Sequence, residues 1–540
     1  MRPPVALVLV LLLAALGPLC EGASLGCPAT AVPDTPEQIA RQKELSAQFL
    51  GHYPGDPFIP LDAKFDALAA QVGIAGDVLR YFLGCLFCYV LALVHAWLPD
   101  DPSLKHFYSF FWGFTISWAC FGVNTFIPLI SSLFVLCICK LMGSSKYTPP
   151  VVFFVAMGVT SACHIYRLYI DYGGYTLDVS GPQMIITIKL TQFAWNVYDH
   201  GKDAGKYTHR VANAVDIGQV SFLQFLSFIF FFGGYLGGPA YEFQDYMRFT
   251  NGEMFKDEPN KQKPGLLARI VPAGVSFAIS ISALLINLTV AKQFNAFALL
   301  CDEFAAEPFY RQVGILWLTV ALTRSKYYCI WNLAEGGMIL SGFGYNGRDK
   351  KTNTILWDRC NNAKILSVEF GESIRESITE WNKKTSLWLR EYAYERMMEF
   401  HFPQWIAMYG TMAVSAFWHG FYSGYYITFG FGAWLQSVGK SMRAVLRPYF
   451  EDYATGKTPF WYNMAGRVIT GIMLNFVTVS FMVVTIENCL TIWKRVGYFG
   501  LVVGFTVQAG LILWKMTPMF KAKNQVYRDA VAARKAKKSQ

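Results

Sequence analysis

Apolar and polar residues alternate in long blocks along most of the chain, from about residue 77 to residue 516. An apolar block of about 18 or more residues can cross a bilayer as a single helix. The pattern predicts an all-α, polytopic membrane protein with about eleven transmembrane helices. The predicted spans are 78–98, 107–123, 125–142, 150–168, 219–239, 270–290, 309–330, 398–417, 422–438, 465–488 and 497–516.

Three segments between these spans depart from the pattern. Residues 184–198 are apolar but short and contain Lys189 and Gln192, so we expect a re-entrant or interfacial helix there. Residues 240–266 are expected to form a polar loop. Residues 343–397 form the longest polar stretch between spans.

The end of this longest polar stretch is amphipathic. On a helix, positions i, i+4, i+7 and i+8 share one face. Here those positions are Trp381, Thr385, Trp388 and Leu389. We expect this helix to lie against the membrane or the protein core.

Composition agrees with a membrane protein. Of the 540 residues, 54% are hydrophobic and 16% are charged, and mean hydropathy is +0.30. A soluble domain carries about 25% charged residues, so an ordinary soluble enzyme, a disordered protein and a nucleic-acid-binding domain are excluded. The net charge of +10 is better explained by cytosolic Lys and Arg that face anionic headgroups.

The two ends of the chain predict its orientation. Residues 1–23 resemble a signal peptide, with an uncleaved anchor as the alternative, and residues 24–76 would then be a polar lumenal segment. The transmembrane domain is predicted over 77–516, and the positive-inside rule makes the basic tail, 517–540, cytosolic. The tail ends in Lys537-Lys538-Ser539-Gln540, which resembles the dilysine retrieval signal of endoplasmic reticulum membrane proteins. We therefore expect a multi-pass protein of that membrane.

His419 is the first candidate for chemistry. It lies between two apolar runs, where an ionisable group is costly and usually faces a cavity or a proton path. A buried His that is hydrogen-bonded to a neighbour explains the residue equally well. No His, Cys or carboxylate stands at ligand spacing around it, so we expect no metal. The Cys85-x-x-Cys88 motif lies within a predicted span and is expected to have no redox or zinc role.

Several short motifs around this histidine resemble those of the membrane-bound O-acyltransferases. They are Glu335-Gly336, Gly344-Tyr345-Asn346-Gly347, Trp381-Asn382, Thr385…Trp388-Leu389, Trp418-His419-Gly420 and Gly424-Tyr425. Together they are similar to the lysophospholipid acyltransferase branch, and most similar to its broad-specificity fungal and yeast enzymes. The resemblance implies a helical transmembrane domain around an internal substrate tunnel.

The resemblance also implies an activity. A fatty acyl chain would pass from acyl-CoA to the free hydroxyl of a lysophospholipid, giving a diacyl phospholipid in phospholipid remodelling (the Lands cycle). His419 would be the catalytic base. Asn382 would stabilise the oxyanion, or orient the substrate or His419. Direct transfer needs no nucleophile on the protein, so a relay through Ser423 is less favoured.

The remaining motif residues are expected to bind substrate: Trp381, Thr385, Trp388, Trp418, Gly420, Tyr425, Glu335, Tyr345 and Asn346. Lys383, Lys384 and Arg390 are candidates for the CoA phosphates, although each alone is better explained as ordinary cytosolic charge. We expect Glu335 to be paired, with Lys326 or Arg324 as its partner. Acyl-CoA is a co-substrate and no cofactor is expected. The expected partners are acyl-CoA, lysophospholipid and membrane lipids, without nucleic acid, and a homo-oligomer is left open.

Two other functions are considered. The first is an acyltransferase of the same superfamily that acts on a sterol, a diacylglycerol or a protein. The sterol and diacylglycerol branch is typically marked by Phe-Tyr-x-Asp-Trp-Trp-Asn, and no such run precedes Asn382. The second is a multi-span transporter with His419 as a proton relay, which the lack of an internal repeat disfavours.

Overall fold

The computed structural model describes Glu44 and residues 59–539, except 73, 175, 204, 206, 257 and 259–262. These residues form helices joined by turns, with no strand among them, and one isolated antiparallel bridge pairs Arg348 with Ile355. The all-α prediction is therefore confirmed. The signal-like segment 1–23 and most of 24–76 lie outside the described residues.

Long helices form the first part of the described chain. They are α1 (Ile59–Val72), α2 (Gly76–Trp97), α3 (Pro102–Phe121), α4 (Phe126–Met142), α5 (Thr148–Ile170) and α6 (Ser180–Asp199). The start of α3 shows how the sequence sets such a boundary. The Asp101 side chain accepts the Ser103 N–H at 2.9 Å, and Pro102 occupies a first-turn position that needs no N–H donor.

Shorter helices alternate with long ones in the middle of the chain. They are α7 (Thr208–Asn213), α8 (Phe222–Phe230), α9 (Phe232–Tyr235), α10 (Phe243–Thr250), α11 (Leu266–Leu288), α12 (Val290–Gln293), α13 (Asp302–Ala306), α14 (Phe309–Thr323) and α15 (Ser325–Ser341). The 3₁₀ turns of the chain are Gly122–Thr125, Ile217–Gln219, Glu253–Phe255 and Ala296–Leu300.

The last part begins with short helices inside the predicted polar stretch. These are α16 (Ile365–Glu369), α17 (Ile374–Glu380), α18 (Lys383–Leu389), a π turn (Arg390–Tyr394) and α19 (Glu395–Glu399). The long helices that follow are α20 (Gln404–His419), α21 (Ser423–Phe450), α22 (Phe460–Val483), α23 (Ile486–Arg495), α24 (Phe499–Met516) and α25 (Pro518–Ser539). The basic tail is thus helical, and Arg534 of α25 pairs with Glu451, just after α21, at 2.9 Å.

Six stretches of the described chain are long and apolar enough to cross a membrane: Gly76–Trp97, Pro102–Met142, Thr148–Ile170, Leu266–Leu300, Phe460–Val483 and Phe499–Met516. Large apolar side chains such as Phe154, Val271 and Leu513 are exposed on these helices. Soluble monomers rarely expose contiguous apolar surface on this scale, so these faces suit lipid. The predicted number of spans, about eleven, is not confirmed by these six.

The predicted span 219–239 is not one helix. It divides into α8 and α9 at Phe231 and continues without helix through Gly238 and Pro239. The last carbonyls of a helix lack partners within it. Here Nζ of Lys189 donates to the Phe228 and Ile229 carbonyls at 3.0 and 3.2 Å, which stabilises the break.

Residues 184–198, expected to form a re-entrant or interfacial helix, lie inside the protein, and their placement relative to the membrane stays a prediction. They belong to α6, a helix of 20 residues that is buried along most of its length. Lys189 is completely buried, and its third hydrogen bond goes to the Tyr241 hydroxyl at 2.8 Å. A buried polar group is tolerated when it is hydrogen-bonded, so this helix can lie in the core.

The predicted span 309–330 divides into α14 and α15 at Arg324. The Arg324 guanidinium forms an ion pair with Glu369 of α16, and the Tyr328 hydroxyl donates to the same carboxylate at 2.5 Å. Arg324 therefore pairs with Glu369, and the expectation that it partners Glu335 is wrong. Because α16 reaches this buried pair, the polar stretch 343–397 folds into the helix bundle instead of looping out of it.

The centre of the bundle is α15, which packs closely against α2 and α11. A Cβ atom at Gly336 would lie 1.9 Å from the Tyr89 hydroxyl and 3.2 Å from the Ala273 carbonyl oxygen. A larger residue at this crossing would require Tyr89 to move. The adjacent Glu335 lies in the protein interior, where it is 2% exposed.

Candidate active site

The chain turns sharply immediately after His419, the last residue of α20. Gly420 has a φ of +118°, a region that favours glycine. A Cβ atom at this position would also lie 3.2 Å from the His164 ring. A glycine here lets the backbone leave the helix against α5 and fixes where His419 stands.

Trp418 anchors this turn to two other helices. Its indole N–H donates to the Met184 carbonyl of α6 at 2.9 Å. Its own carbonyl accepts a hydrogen bond from Nε2 of His164, on α5, at 3.1 Å. The sequence indicates no role for His164, because the two residues are far apart in the chain.

The His419 ring is surrounded by aromatic rings. Phe429 stacks on it at a centroid distance of 5.2 Å, Phe481 meets it edge-on at 5.0 Å, and Tyr425 lies at 5.8 Å. The ring is only partly buried, and among the described residues no group hydrogen-bonds to either of its nitrogens. The rings therefore hold the imidazole in place and leave its nitrogens free to exchange a proton.

Asn382 stands at the junction of α17 and α18, with a φ of +43°. Its side-chain Oδ1 accepts a hydrogen bond from Nδ2 of Asn362 at 3.1 Å. The Asn382 Nδ2 donor has no partner in the described part of the chain, and the residue is partly buried. Asn382 therefore presents an amide donor that the protein itself does not use.

The helix predicted around Trp381 differs in detail from the structure. Trp381 precedes α18 in extended conformation, because the left-handed backbone of Asn382 separates α17 from α18. It packs against Trp331 at 4.8 Å and Tyr327 at 5.5 Å. Only Thr385 and Trp388 of the predicted face are buried within α18.

The two motifs meet through aromatic side chains. The indole N–H of Trp388 donates to Thr191 of α6 at 3.0 Å, and its ring lies 5.9 Å from that of Trp418. On the other side, the Tyr425 ring lies 5.8 Å from that of His419, and the Tyr327 ring contacts Trp381, next to Asn382. The segments that carry His419 and Asn382 are thus joined in the fold, although one belongs to a polar stretch and the other to an apolar run.

The Glu-Gly and Gly-Tyr-Asn-Gly motifs are divided between the interior and a loop. Glu335 accepts a hydrogen bond from Asn361 at 2.9 Å, next to the residue that contacts Asn382. Tyr345 donates to Glu258 at 2.7 Å, and Asn346 donates to Asp358 at 2.9 Å. Tyr345 and Asn346 therefore contact loop residues, and their role in substrate binding stays a prediction.

The candidate phosphate-binding cations differ in their pairing. Lys383 lies 3.5 Å from Glu380, and Arg390 lies 2.7 Å from Glu391. Lys384 has no carboxylate partner among the described residues. As for a metal, the described part of the chain brings no three His, Cys, Asp or Glu side chains together as ligands.

Comparison with known proteins places the chain in a family. Residues 165–487 match the family model of MBOAT, the membrane-bound O-acyltransferase family, and this range contains both His419 and Asn382. The chain therefore belongs to the membrane-bound O-acyltransferases, which confirms the resemblance of its motifs. It is accordingly a multi-pass membrane enzyme that transfers acyl groups.

Named relatives extend along most of the chain. A lysophospholipid acyltransferase of Schizosaccharomyces pombe is 31% identical over 456 residues, covering 81% of this chain and 87% of the relative. One of Saccharomyces cerevisiae is 30% identical over 495 residues, covering 86% and 79%. The human membrane-bound glycerophospholipid O-acyltransferase 1 is 29% identical over 457 residues, covering 80% and 88%.

Proposed function

We propose that this protein transfers a fatty acyl chain from acyl-CoA to the free hydroxyl of a lysophospholipid, giving a diacyl phospholipid in phospholipid remodelling. The names of its relatives supply the substrate class. One observation carries the chemistry. Among the described residues, the His419 nitrogens and the Asn382 Nδ2 donor have no partner, and the segments that carry them are joined by the packed rings of Trp388 and Trp418.

His419 acts as the general base. A glycerol hydroxyl is a weak nucleophile until a base removes its proton during attack, and such assistance contributes about 10²–10⁴-fold. Phe429 and Phe481 hold the ring, so a free nitrogen can meet the hydroxyl without rotation.

Asn382 supports the electrophile. As the hydroxyl oxygen bonds to the thioester carbon, negative charge develops on the carbonyl oxygen, and the Asn382 Nδ2 donates to it. Loss of one such donor costs about 10²–10³ in rate. The C–S bond then breaks, and the CoA thiolate leaves with the proton that His419 accepted.

The remaining residues bind the substrates. Contacts with the substrates are assigned to Trp381, Tyr425 and Glu335. The same role is assigned to Trp388, Trp418, Thr385 and Gly420. Lys384 is the candidate for a CoA phosphate, since Lys383 and Arg390 already pair with carboxylates.

The proposal includes the predicted surroundings of the site. About eleven spans would enclose an internal tunnel for the two acyl chains, and acyl-CoA would serve as co-substrate without a cofactor. The enzyme would work in the endoplasmic reticulum membrane with its basic tail in the cytosol, as the positive-inside rule and the dilysine ending predict.

Purified protein with radiolabelled oleoyl-CoA tests the activity against a panel of lysophospholipids, a sterol and a diacylglycerol. Diacyl phospholipid should form with the wild type and nearly none with His419→Ala or Asn382→Ala. His200→Ala and Asn251→Ala, at exposed positions, are the matched controls and should remain active. Product from only the sterol or the diacylglycerol would refute the acceptor class, and full activity of His419→Ala would refute the mechanism.

A further inference from the structure

Asn362 directs its backbone carbonyl and both polar atoms of its side chain at the segment that begins α18. It is buried, with 2% exposed. Its carbonyl accepts the Lys383 N–H at 2.8 Å, and its Oδ1 accepts the Lys384 N–H at 3.1 Å. Its Nδ2 donates to Oδ1 of Asn382 at 3.1 Å. One side chain therefore contacts both the start of the helix and the candidate catalytic amide.

Because of these contacts, the Asn382 side chain does not have to cap α18. An asparagine at the start of a helix commonly caps it, because its side-chain oxygen accepts one of the first free N–H groups. Asn382 occupies that position and makes no such bond. Asn362 accepts the N–H groups of Lys383 and Lys384 instead, so the Asn382 side chain is available for another partner.

The hydrogen bonds also determine which way each amide faces. A backbone N–H can only donate, so the Lys384 N–H requires the oxygen of the Asn362 amide on its side. The Asn362 Nδ2 then faces Asn382, and a donor there requires the oxygen of the Asn382 amide. An asparagine amide carries its acceptor and its donor on opposite sides. The group of Asn382 left for a ligand is consequently Nδ2.

We propose that Asn362 is a positioning residue that fixes the Asn382 amide with its donor toward the thioester carbonyl. This inference rests on the proposed function, in which Asn382 stabilises the oxyanion. The neighbouring Asn361 contacts α15, since its Nδ2 donates to Glu335 at 2.9 Å. The pair Asn361-Asn362 thus connects α15 to the start of α18.

Asn362→Asp tests the orientation with almost no change in shape. The carboxylate keeps an acceptor for the Lys384 N–H but faces Asn382 with a second acceptor. The Asn382 amide should then rotate and present oxygen to the substrate. We expect kcat to fall by about 10²-fold, close to the loss of an oxyanion donor, with little change in KM for oleoyl-CoA.

Asn475→Asp is the matched control. Asn475 is 1% exposed and, like Asn362, both accepts and donates, from Arg324 at 2.8 Å and to the Trp317 carbonyl at 3.2 Å. The same chemical change there should lower the thermal stability and leave kcat near that of the wild type. A purely structural effect of burying a carboxylate would lower kcat equally in both variants and would overturn the inference.

A double-mutant cycle separates positioning from independent action. If Asn362 acts through Asn382, adding Asn362→Asp to Asn382→Ala should change kcat no further. Additive losses, or normal kcat in Asn362→Asp beside inactive Asn382→Ala, would overturn the inference alone. Normal kcat in Asn382→Ala would instead overturn the proposed role of Asn382, and the inference with it.

Asn362→Ser covers the case in which the aspartate variant does not fold. Serine introduces no charge and is too short to reach Asn382, so that amide is free to rotate. A reduced kcat at unchanged KM supports the inference, and an unchanged kcat overturns it.

Discussion

His419 and Asn382 are held in place by opposite means. Aromatic rings enclose the His419 imidazole and leave both nitrogens without a partner in the described chain, whereas a directed hydrogen bond holds the Asn382 amide. A base must exchange its proton, so packing that does not occupy its nitrogens suits it. An oxyanion donor must point in one direction. A hydrogen bond to Oδ1, on the opposite side of the Asn382 amide, fixes that direction. Substitutions in the packed region around His419 and in the hydrogen-bonded region around Asn382 should therefore lower activity in different ways.

The largest effects are expected when either functional group is replaced at nearly constant shape. His419→Gln removes the base, and kcat should fall by about 10²–10⁴-fold. Asn382→Asp keeps the size of the side chain but replaces the donor with a carboxylate, and kcat should fall by about 10²–10³-fold. Initial rates against oleoyl-CoA and lysophosphatidylcholine concentration measure both, and a near-normal kcat in either variant would remove that residue from the mechanism.

Gly420→Ala disturbs the packed region through its backbone. Alanine is strained in the conformation of Gly420, which costs about 1–3 kcal/mol, and its methyl group would press on the His164 ring at 3.2 Å. We expect lower thermal stability and a lower kcat, because the His419 ring moves with the turn. Gly143→Ala is the control: Gly143 also has positive φ, +53°, but no atom lies within 4 Å of an added Cβ. Equal loss of kcat in both would show that strain alone, without the contact, is responsible.

The two regions also differ in how far the sequence predicts them. Trp418, His419 and Gly420 are consecutive, so a local motif shows most of the packed turn. Asn382 is marked by its own motif, but Asn362, which orients it, lies in no motif because its partners are largely backbone groups. His164 is missed for a related reason, since it bonds a carbonyl that every residue has.

Prediction of the fold from the sequence has the same limit. Hydropathy finds α2, α4 and α24 because each is an unbroken apolar run. It predicts continuous helices over 219–239 and 309–330, where Lys189 and the Arg324–Glu369 pair stabilise breaks. A hydropathy profile counts Lys189, Arg324 and Glu369 as polar and cannot show that their hydrogen-bonding partners come from distant segments.

Glu242 should make the stability of the hydrogen-bonded region depend on pH. It accepts hydrogen bonds from Asn196 at 2.8 Å and Tyr392 at 3.0 Å, which tie the π turn after α18 to α6. Burial raises the pKa of Glu242 from 4.5 to about 7, with nearby Asp245 contributing, although both hydrogen bonds favour the carboxylate. Between these values the folded protein retains a proton that the unfolded chain has lost, so stability falls as pH rises.

Glu242→Gln removes this titration. Its Tm relative to the wild type should rise as pH increases from about 4.5 to about 7 and change little above that. Glu253→Gln, which removes an exposed carboxylate in a nearby turn, is the control for the loss of a carboxylate as such. A difference for Glu242→Gln that does not change with pH would mean that its carboxyl is ionised throughout this range.

The smallest effect is expected at His164, which makes the hydrogen bond that supports the packed turn. His164→Phe retains a ring under Gly420 but loses the donor to the Trp418 carbonyl. A hydrogen bond of this kind contributes about 0.5–1.5 kcal/mol, so kcat should fall by about 2- to 10-fold. His164→Gln can place an amide N–H near the position of Nε2 and should restore the rate. Because packing, and not this bond, orients His419, a loss in His164→Phe as large as that in Asn362→Asp would contradict the distinction between the two regions.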